Sequence, residues 1–531
     1  MTALLLPLLA AVPVMAVALT AMLPWRLPGR VLALAVPAAT AAAGVALLVH
    51  HRATPVEVAH VGGFVPGVAI PFVSDAFTAI MLVATGVVAA VAVLFADLTG
   101  EFARSRFFAP LVLLLLAGAN GALLTGDLFN LFVFVEVMLL PSYALIAMTG
   151  GWRRLGIGRL FVVVNLLTST LLLAGVGFVY ATAGAVNIAA LAGAASEDGR
   201  VAAALGIVVM ALCIKAGAVP VHGWLPRAYP GTSAGVMALF SALHTKVALY
   251  AVIRIWATAF DLDPAWGRVI LVVALVTTLW GAVASAAPRL GREVLAWQMV
   301  SGVGVILAAL AVSSMGSYQF LGGPPAGFGP GGAIVYMVHH MVTIGALVML
   351  LGAAEHVYGT GRLDRLSGLW HRERPLAVLL VIATAALVGL PPTSGLTGKL
   401  EVLTASVAAG GAWGVATLVV VLAASLVGLV AMVRLWREAM WGAPMTRYRP
   451  LGADGRRGGW TELDDDARVP ARLLVPAAAL CALSVALFLG YGAVAPEVDR
   501  AVAGLLDTSG YSAAVLGGPD AMTATTVGGG R

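Results

Sequence analysis

The sequence has little charge, only two cysteines and only three lysines. Of its 531 residues, 61% are hydrophobic and 11% are charged, whereas an ordinary soluble domain has roughly 25% charged residues. Inside a bilayer only helices and closed barrels satisfy their own backbone groups, and about 20 apolar residues cross the hydrocarbon core as a helix. The long apolar runs exclude a barrel. They indicate an all-α polytopic membrane protein.

Hydropathy along the chain predicts about fourteen transmembrane helices. The runs lie at residues 4–22, 31–49, 72–95, 108–124, 128–148, 160–180, 201–219, 233–256, 269–286, 295–313, 333–354, 376–406, 415–435 and 473–489. We expect five regions: three first spans in 1–107, a five-helix repeat in 108–256, a second, inverted five-helix repeat in 257–436, a cytoplasmic loop in 437–472, and a last span with a disordered tail in 473–531. The disordered tail is expected after Pro519, where the sequence is rich in glycine and threonine. The first run lacks a basic flank before it, so it is interpreted as a retained span rather than a signal peptide.

The arginines indicate the orientation of the spans. They concentrate in alternate loops, and basic residues stay in short cytoplasmic loops, so both termini are predicted to lie outside. Cys213 and Cys481 lie inside apolar runs, which argues against a disulfide framework or a cysteine metal site. The small positive net charge does not suggest nucleic acid.

Lysine occurs only where titration would be useful. Lys215, Lys246 and Lys399 each lie within an apolar run, while all other Lys/Arg positions are arginine, mostly in loops or at span ends. Arginine keeps its proton in a protein, whereas a buried lysine is able to release one. Lys246 lies about ten residues, or roughly 15 Å, from the nearer end of its span, too deep for its amine to reach the interface. We therefore expect it to face a hydrated interior or a partner, rather than lipid.

Glu136 is the clearest acidic counterpart to these lysines. It lies in the middle of the run 128–148 with apolar neighbours on both sides. A nearby positive charge would keep it ionised, and a lysine is the natural candidate. Asp75, Asp127 and Glu355 lie nearer to span ends, where capping or solvation competes with a functional role.

Two spans are broken by proline, and each carries a lysine. Pro220 follows Lys215 by five residues, and Pro391-Pro392 precede Lys399. Prolines and glycines interrupt the backbone hydrogen bonds of a helix, and in transporters such breaks commonly mark the central site. A packing kink explains either break alone, but explains two breaks beside two lysines less well.

Three histidines are candidates for a proton relay. His244 lies two residues from Lys246, which places the two side chains on different faces of a helix, and His339 and His340 lie deep in their span. Paired membrane histidines also ligate haem, but no residue is singled out as a second axial ligand. The sequence has no P-loop, HExxH motif or nucleophile elbow. We therefore predict no cofactor and no enzyme activity.

The candidate residues occur in four conspicuous segments, which are Gly126-Asp-Leu-Phe-Asn-Leu-Phe-Val-Phe-Val-Glu136, Lys215-Ala-Gly-Ala-Val-Pro-Val-His-Gly-Trp-Leu-Pro226, Ser241-Ala-Leu-His-Thr-Lys246 and Gly389-Leu-Pro-Pro-Thr-Ser-Gly-Leu-Thr-Gly-Lys399. At these segments the sequence closely resembles the D-type subunits of the Mrp-type multi-subunit Na⁺/H⁺ antiporters and, more broadly, the antiporter-like subunits of respiratory complex I. The resemblance covers most of the chain. It implies a multi-pass subunit of a bacterial cell membrane, with partner subunits of the A, B, C, E, F and G types, and with protons and Na⁺ as transported ions.

The resemblance also implies roles for individual residues. Glu136 and Lys215 match a coupling pair, Lys246 matches the central relay, and Lys399 matches the group on the exit side. The sequence departs from the family where a lysine is usual but Ile344 stands, and where a polar side chain is common but Gly302 stands. Three hypotheses therefore compete: an antiporter subunit, a pumping subunit of a complex I or membrane-bound hydrogenase, and a scaffold subunit that does not conduct.

Overall fold

The computed structural model describes residues 5–22, 26–148, 152–315, 330–452 and 457–518. Helices dominate this part of the chain. They are α1 (Leu8–Met22), α2 (Arg26–His50), α3 (Ala76–Leu98), α4 (Glu101–Arg104), α5 (Phe108–Leu124), α6 (Leu128–Ala147), α7 (Trp152–Ala183), α8 (Ala194–Glu197), α9 (Gly199–Ala216), α10 (Trp224–Ala228), α11 (Ala234–Ala259), α12 (Pro264–Ala284), α13 (Gly291–Ser313), α14 (Gly331–Tyr358), α15 (Leu369–Arg372), α16 (Arg374–Val388), α17 (Ser394–Ala409), α18 (Gly411–Trp436), α19 (Ala471–Leu489), α20 (Tyr491–Leu506) and α21 (Ser509–Leu516).

Within the described residues, 11 helices are long and apolar enough to cross a membrane, and three shorter apolar helices accompany them. The 11 include α2, α3, α6, α7, α9, α11, α12, α13, α14, α18 and α19, and the shorter three are α1, α5 and α16. Each has enough length or enough apolar surface to lie within the hydrocarbon core. The prediction of a predominantly helical, multi-pass membrane protein is confirmed.

Three helices form the centre of the bundle. In the most apolar stretch of each helix, the share of residues that are buried is 100% for α11, 94% for α13 and 89% for α14. The share is 33% for α2 and for α18. A helix that is apolar on all sides is either buried in protein or surrounded by lipid. Because α11 packs against α9, α13 and α14, and α14 packs against α17, the polar side chains in the middle of α11 and α14 lie inside protein.

Both predicted helix breaks are present as gaps between helices. α9 ends at Ala216 and α10 begins only at Trp224, while α16 ends at Val388 and α17 begins at Ser394. Each first half ends at a glycine with left-handed backbone, Gly217 with φ 89° and Gly389 with φ 93°. Residues with a β-carbon avoid this conformation, so glycine closes the helix at both places.

The structure adds elements that hydropathy did not predict. Strands β1 (Val56–His60) and β2 (Pro71–Asp75) form an antiparallel hairpin, and β3 (Arg447–Tyr448) pairs with β4 (Thr461–Glu462). These strands are too short and too polar to register as spans. After the last predicted span, α20 and α21 are two further helices that hydropathy did not predict. The disordered tail predicted after Pro519 lies outside the described residues.

Candidate functional site

The most direct contact among the predicted residues joins α11 to α14. Lys246 is 0% exposed, and its Nζ lies 2.9 Å from Nδ1 of His340 and 3.0 Å from Oγ1 of Thr245. His340 is also 0% exposed. A charged lysine donates to an unprotonated Nδ1, whereas a neutral lysine accepts from a protonated Nδ1. The two nitrogens are therefore placed to share one proton along the line between them.

Gly302 explains how the His340 ring fits. A β-carbon at Gly302 would lie 2.1 Å from Nε2 of His340, a distance that the ring could not tolerate. Nε2 itself makes no hydrogen bond of normal geometry with the described residues. The absence of a polar side chain at Gly302 is thus not an empty gap, because the imidazole of His340 occupies the space.

A small cavity continues from Gly302 toward Lys399. It measures about 20 Å³, enough for about one water molecule. Its polar lining consists of Gln298, Ser301, Tyr336, Lys399 and Ser425. The cavity joins α13, α14, α17 and α18, so a polar space lies between the His340 side of the bundle and the second helix break.

Lys399 lies at that second break. The side chain is 9% exposed, and Nζ lies 2.5 Å from the carbonyl oxygen of Val388, the last residue of α16. Because α16 stops there, this carbonyl lacks its partner from the next helical turn. A β-carbon on Gly389 would lie 2.8 Å from Cδ of Lys399, so a glycine is needed for the lysine to cross the break.

His339 lies at the second helix break, where it contacts the start of α17, the helix that carries Lys399. Its Nδ1 lies 2.9 Å from the hydroxyl of Ser394 at the start of α17, and that hydroxyl lies 2.8 Å from the hydroxyl of Ser484 on α19. Nε2 of His339 has no hydrogen-bond partner among the described residues. The two neighbouring histidines therefore face different surroundings, since His340 contacts Lys246 and His339 contacts the second break.

Lys215 and Glu136 do not form the direct ion pair that close contact would give. Nζ of Lys215 lies 3.2 Å from the hydroxyl of Ser169 on α7, and Oε1 of Glu136 has no hydrogen-bond partner among the described residues. Lys215 is 2% exposed, so an attraction between its charge and that of Glu136 would be screened less than one between surface charges.

His244 and Lys246 point to different helices, as their spacing predicts. Nε2 of His244 lies 2.8 Å from Oγ of Ser142 on α6, and this hydroxyl also lies 2.7 Å from the carbonyl oxygen of Met138. Since the hydroxyl has one proton to donate, donation to Met138 leaves it to accept from His244. The imidazole of His244 is thereby oriented toward the helix that carries Glu136.

The structure thus arranges the predicted residues as a series across the bundle. Glu136, Lys215 and His244 lie around α6, α9 and the adjoining face of α11; Lys246 and His340 join α11 to α14; Lys399 follows across the cavity. Ile344 is buried one helical turn after His340 and contributes no polar group. Within the described residues no group of three or more His, Cys, Asp and Glu side chains is arranged to hold a metal ion.

The sequence did not reveal the hydroxyl groups that bond the candidate residues. It also did not decide between a capping and a functional role for the acids at the span ends. Ser142, Ser169 and Ser394 each bond a predicted relay residue from another helix, and a lone serine in an apolar run gives no signal of its partner. Asp75 and Asp127 accept from backbone amides as the N-caps of α3 and α6. Glu355 pairs with Arg292 at 2.7 Å.

Comparison with known proteins identifies the fold and the family. The family described as NADH:quinone oxidoreductase/Mrp antiporter, TM, matches residues 125–425. The D-type subunit of the Na(+)/H(+) antiporter of Bacillus subtilis (strain 168) is 33% identical over 468 residues, which cover 87% of this chain and 88% of that protein.

Solved structures give the same result. A chain of the Mrp complex from Dietzia sp. DQ12-45-1b is 38% identical with a TM-score of 0.88, and the match covers 96% of this chain and 99% of that one. A chain of respiratory complex I from Thermus thermophilus is 22% identical with a TM-score of 0.71, covering 94% and 100%; it supports the fold alone. The chain therefore belongs to the family of membrane subunits shared by NADH:quinone oxidoreductases and Mrp antiporters.

Proposed function

We propose that the chain is the proton-conducting, D-type subunit of a multi-subunit Na⁺/H⁺ antiporter. The observation that carries the proposal is the fully buried contact of 2.9 Å between Lys246 and His340. The His340 ring lies against Gly302, and Gly302 and Lys399 line one small cavity. The relatives named as antiporter subunits match over most of their length. Other subunits of the complex are the expected partners, with membrane lipids around them, and Na⁺ and protons are the transported ions.

The helices support a finer topology as part of this proposal. Counting α9 with α10, and α16 with α17, as one broken span each gives about fourteen spans. Two five-span repeats, 108–256 and 257–436, would then each contain one break with one lysine. An inverted relation fits the span count, because an odd number of spans in the first repeat makes the second repeat begin on the opposite side of the membrane. Both termini would lie outside, residues 437–472 would be cytoplasmic, and the membrane would be that of a bacterial cell.

Electrostatic coupling between Glu136 and Lys215 supplies a driving step. Two unit charges at an effective dielectric constant near 20 attract by about 4 kcal/mol at 4 Å and by about 2 kcal/mol at 8 Å. A change between a contact pair and a separated pair is thus worth about 2 kcal/mol, or roughly a thirtyfold change in a proton equilibrium. The separated arrangement of the two side chains would favour transfer of a proton toward Lys246. A neighbouring subunit or a bound cation would drive the separation.

The structure offers an argument against the scaffold hypothesis. That hypothesis arose because Ile344 stands where a lysine is usual in the family. The His340 ring lies beside Gly302 and bonds Lys246, so Lys246 has a polar partner on α14 although Ile344 supplies none. For the complex I hypothesis, the 22% identical neighbour carries the fold only, and no feature of the site favours it.

The test is Na⁺-driven proton movement in everted vesicles that contain the assembled complex. Lys246→Ala and Glu136→Ala are each expected to abolish it, because each removes one member of the series, while the partner subunits still co-purify. Thr404→Ala is the matched control: its hydroxyl bonds the Leu400 carbonyl of its own helix at 2.7 Å, and transport should persist. Unimpaired transport in both relay variants would reject the proposal.

A further inference from the structure

A second polar cluster lies on the same helix face as Lys246. Lys246, Tyr250 and Arg254 are spaced four residues apart on α11 and therefore project from one side of the helix. At 1.5 Å per residue, Arg254 lies about 12 Å from Lys246 along the axis. It lies toward the end of α11 that adjoins the β1–β2 hairpin and α21, which the proposed topology places outside.

Arg254 is enclosed at this end. The side chain pairs with Asp75 at 2.6 Å, and the two residues are 3% and 7% exposed. The guanidinium also lies over the rings of Phe77 and Tyr511, 5.5 and 5.0 Å from their centres. One turn toward Lys246, the hydroxyl of Tyr250 lies 2.7 Å from that of Thr78. The ion pair and the ring contacts hold the guanidinium in place, while its Nη1 has no hydrogen-bond partner among the described residues.

The cluster is electrically neutral and holds its protons. Burial opposes ionisation of Asp75, but the guanidinium of Arg254 and the backbone amide of Thr78 hold the pKa of this carboxyl below its ordinary value. Arginine keeps its proton in any protein environment. Burial raises the pKa of Tyr511. A group that neither accepts nor releases a proton near neutral pH cannot pass one on.

The last helices of the described chain cover this end. Tyr511 lies on α21, and α21 is attached to β1 because His60 Nε2 lies 2.9 Å from the carbonyl oxygen of Val515. α20 is attached near the end of α2, because Glu497 on α20 pairs at 2.7 Å with Arg52, which follows α2 in the chain. The covering helices are therefore fixed at two places by polar contacts.

We propose that Asp75, Arg254 and Tyr511 form an outer seal, which closes the Lys246 face of α11 to the outer solution so that Lys246 exchanges its proton laterally with His340. This inference rests on the proposed function, since it assigns the seal to the relay residue. A buried, neutral plug blocks protons because no group that exchanges a proton near neutral pH bridges it. Removing one charge leaves the other buried without a partner, which water must then enter to solvate.

The test is passive proton leak in proteoliposomes that contain the assembled complex, with an imposed pH gradient and no Na⁺. Asp75→Asn keeps the shape of the helix cap but removes the charge, and we expect the leak to rise about tenfold. The double variant Asp75→Asn with Arg254→Gln has no uncompensated charge, so its leak should return close to that of the unmodified complex. A purely structural role predicts that the double variant is at least as impaired as the single one.

Two further variants complete the test. Asp127→Asn is the matched control, because Asp127 caps α6 in the same way, is 8% exposed and makes no ion pair within the described residues; it should not leak. Lys246→Ala combined with Asp75→Asn should abolish the leak, since the route runs through Lys246. Should Asp75→Asn prevent assembly, Tyr511→Ala, which removes only the cover, is expected to leak several-fold.

Three results would overturn the seal. The first is an assembled Asp75→Asn complex that leaks no more than the unmodified one, and the second is an equal leak when Lys246→Ala is added to Asp75→Asn. The third, where Asp75→Asn does not assemble, is a Tyr511→Ala complex that leaks no more than the unmodified one. None of them depends on Na⁺ transport. Loss of the proposed function would instead be seen as normal antiport in Lys246→Ala, so failure of the seal and failure of the relay are distinguishable.

Discussion

The two helix breaks look alike in sequence but hold their lysines differently. At the first break the amine of Lys215 contacts the hydroxyl of Ser169, and Trp224 Nε1 donates to the carbonyl oxygen of Ile214 near the end of α9. At the second break the amine of Lys399 itself donates to the freed carbonyl oxygen of Val388. Lys215 is thus not needed as a hydrogen-bond donor to the carbonyl groups at the first break, whereas Lys399 is the donor to a carbonyl group at the second break.

This difference separates two roles that the sequence pattern combines. Lys215 is free to respond to the charge of Glu136 because its contact with a hydroxyl is weak and replaceable. Lys399 has a structural task in addition to any role in proton transfer. A loss of transport on mutation therefore has a simpler interpretation at the first break than at the second.

The largest effect is expected from cutting the connection between the breaks at Gly302. In Gly302→Ala the new β-carbon would displace the His340 ring, which it would approach to 2.1 Å. Overpacking of this kind costs about 1–3 kcal/mol of stability, and displacement of the ring from its contact with Lys246 is expected to slow transport by about one to two orders of magnitude. Na⁺-driven proton movement in vesicles measures the loss.

Gly428→Ala provides the control for that experiment. Gly428 lines the same cavity, but a β-carbon there would meet its nearest neighbour, Nε2 of Gln298, at 3.4 Å. Transport in this variant should stay within about twofold of the unmodified complex. Equal transport by the Gly302 and Gly428 variants would show that the connection does not run past His340.

A smaller effect should distinguish the two lysines by stability. Lys399→Ala leaves the Val388 carbonyl without its donor, and an unsatisfied buried acceptor costs about 1–3 kcal/mol. Lys215→Ala leaves no backbone group unpaired, so it should lower transport with little loss of stability. Thermal denaturation of the purified complex measures the difference, and an equal loss of stability in both variants would contradict the distinction.

The smallest effect concerns the glycines that end α9 and α16. Both adopt left-handed backbone, so Gly217→Ala and Gly389→Ala should each cost about 1–2 kcal/mol. The new β-carbon would press on Leu225 in the first variant and on Cδ of Lys399 in the second. Stability should fall similarly in both, while transport relative to the amount of assembled complex should fall further in Gly389→Ala. Identical relative transport would argue against a positional requirement at Lys399.

The sequence predicted the features that depend on composition along one helix. Long apolar runs predicted the spans, proline and glycine predicted the two gaps, and lysine within apolar runs predicted burial of Lys215, Lys246 and Lys399. Depth in the span predicted that the His340 side chain is buried. These predictions succeed because each follows from the cost of placing a residue type in a low-dielectric environment.

Features that depend on contacts between distant segments were not predicted. Arg254 lies near the end of its span and reads as one more terminal arginine, because its partner Asp75 is 179 positions earlier. Gly302 looked like a gap in the polar series, since the ring that fills the space belongs to α14. The separation of Glu136 from Lys215 also depends on helix packing, which residue spacing does not determine.

The most direct test of the account replaces Lys246 with arginine and measures Na⁺-driven proton movement by the assembled complex. Lys246→Arg keeps a positive charge and a hydrogen-bond donor facing His340 but does not release its proton. If the amine carries protons, transport is lost as completely as in Lys246→Ala while the complex still assembles. Normal transport in Lys246→Arg would show that the charge alone suffices and would contradict a relay through this residue.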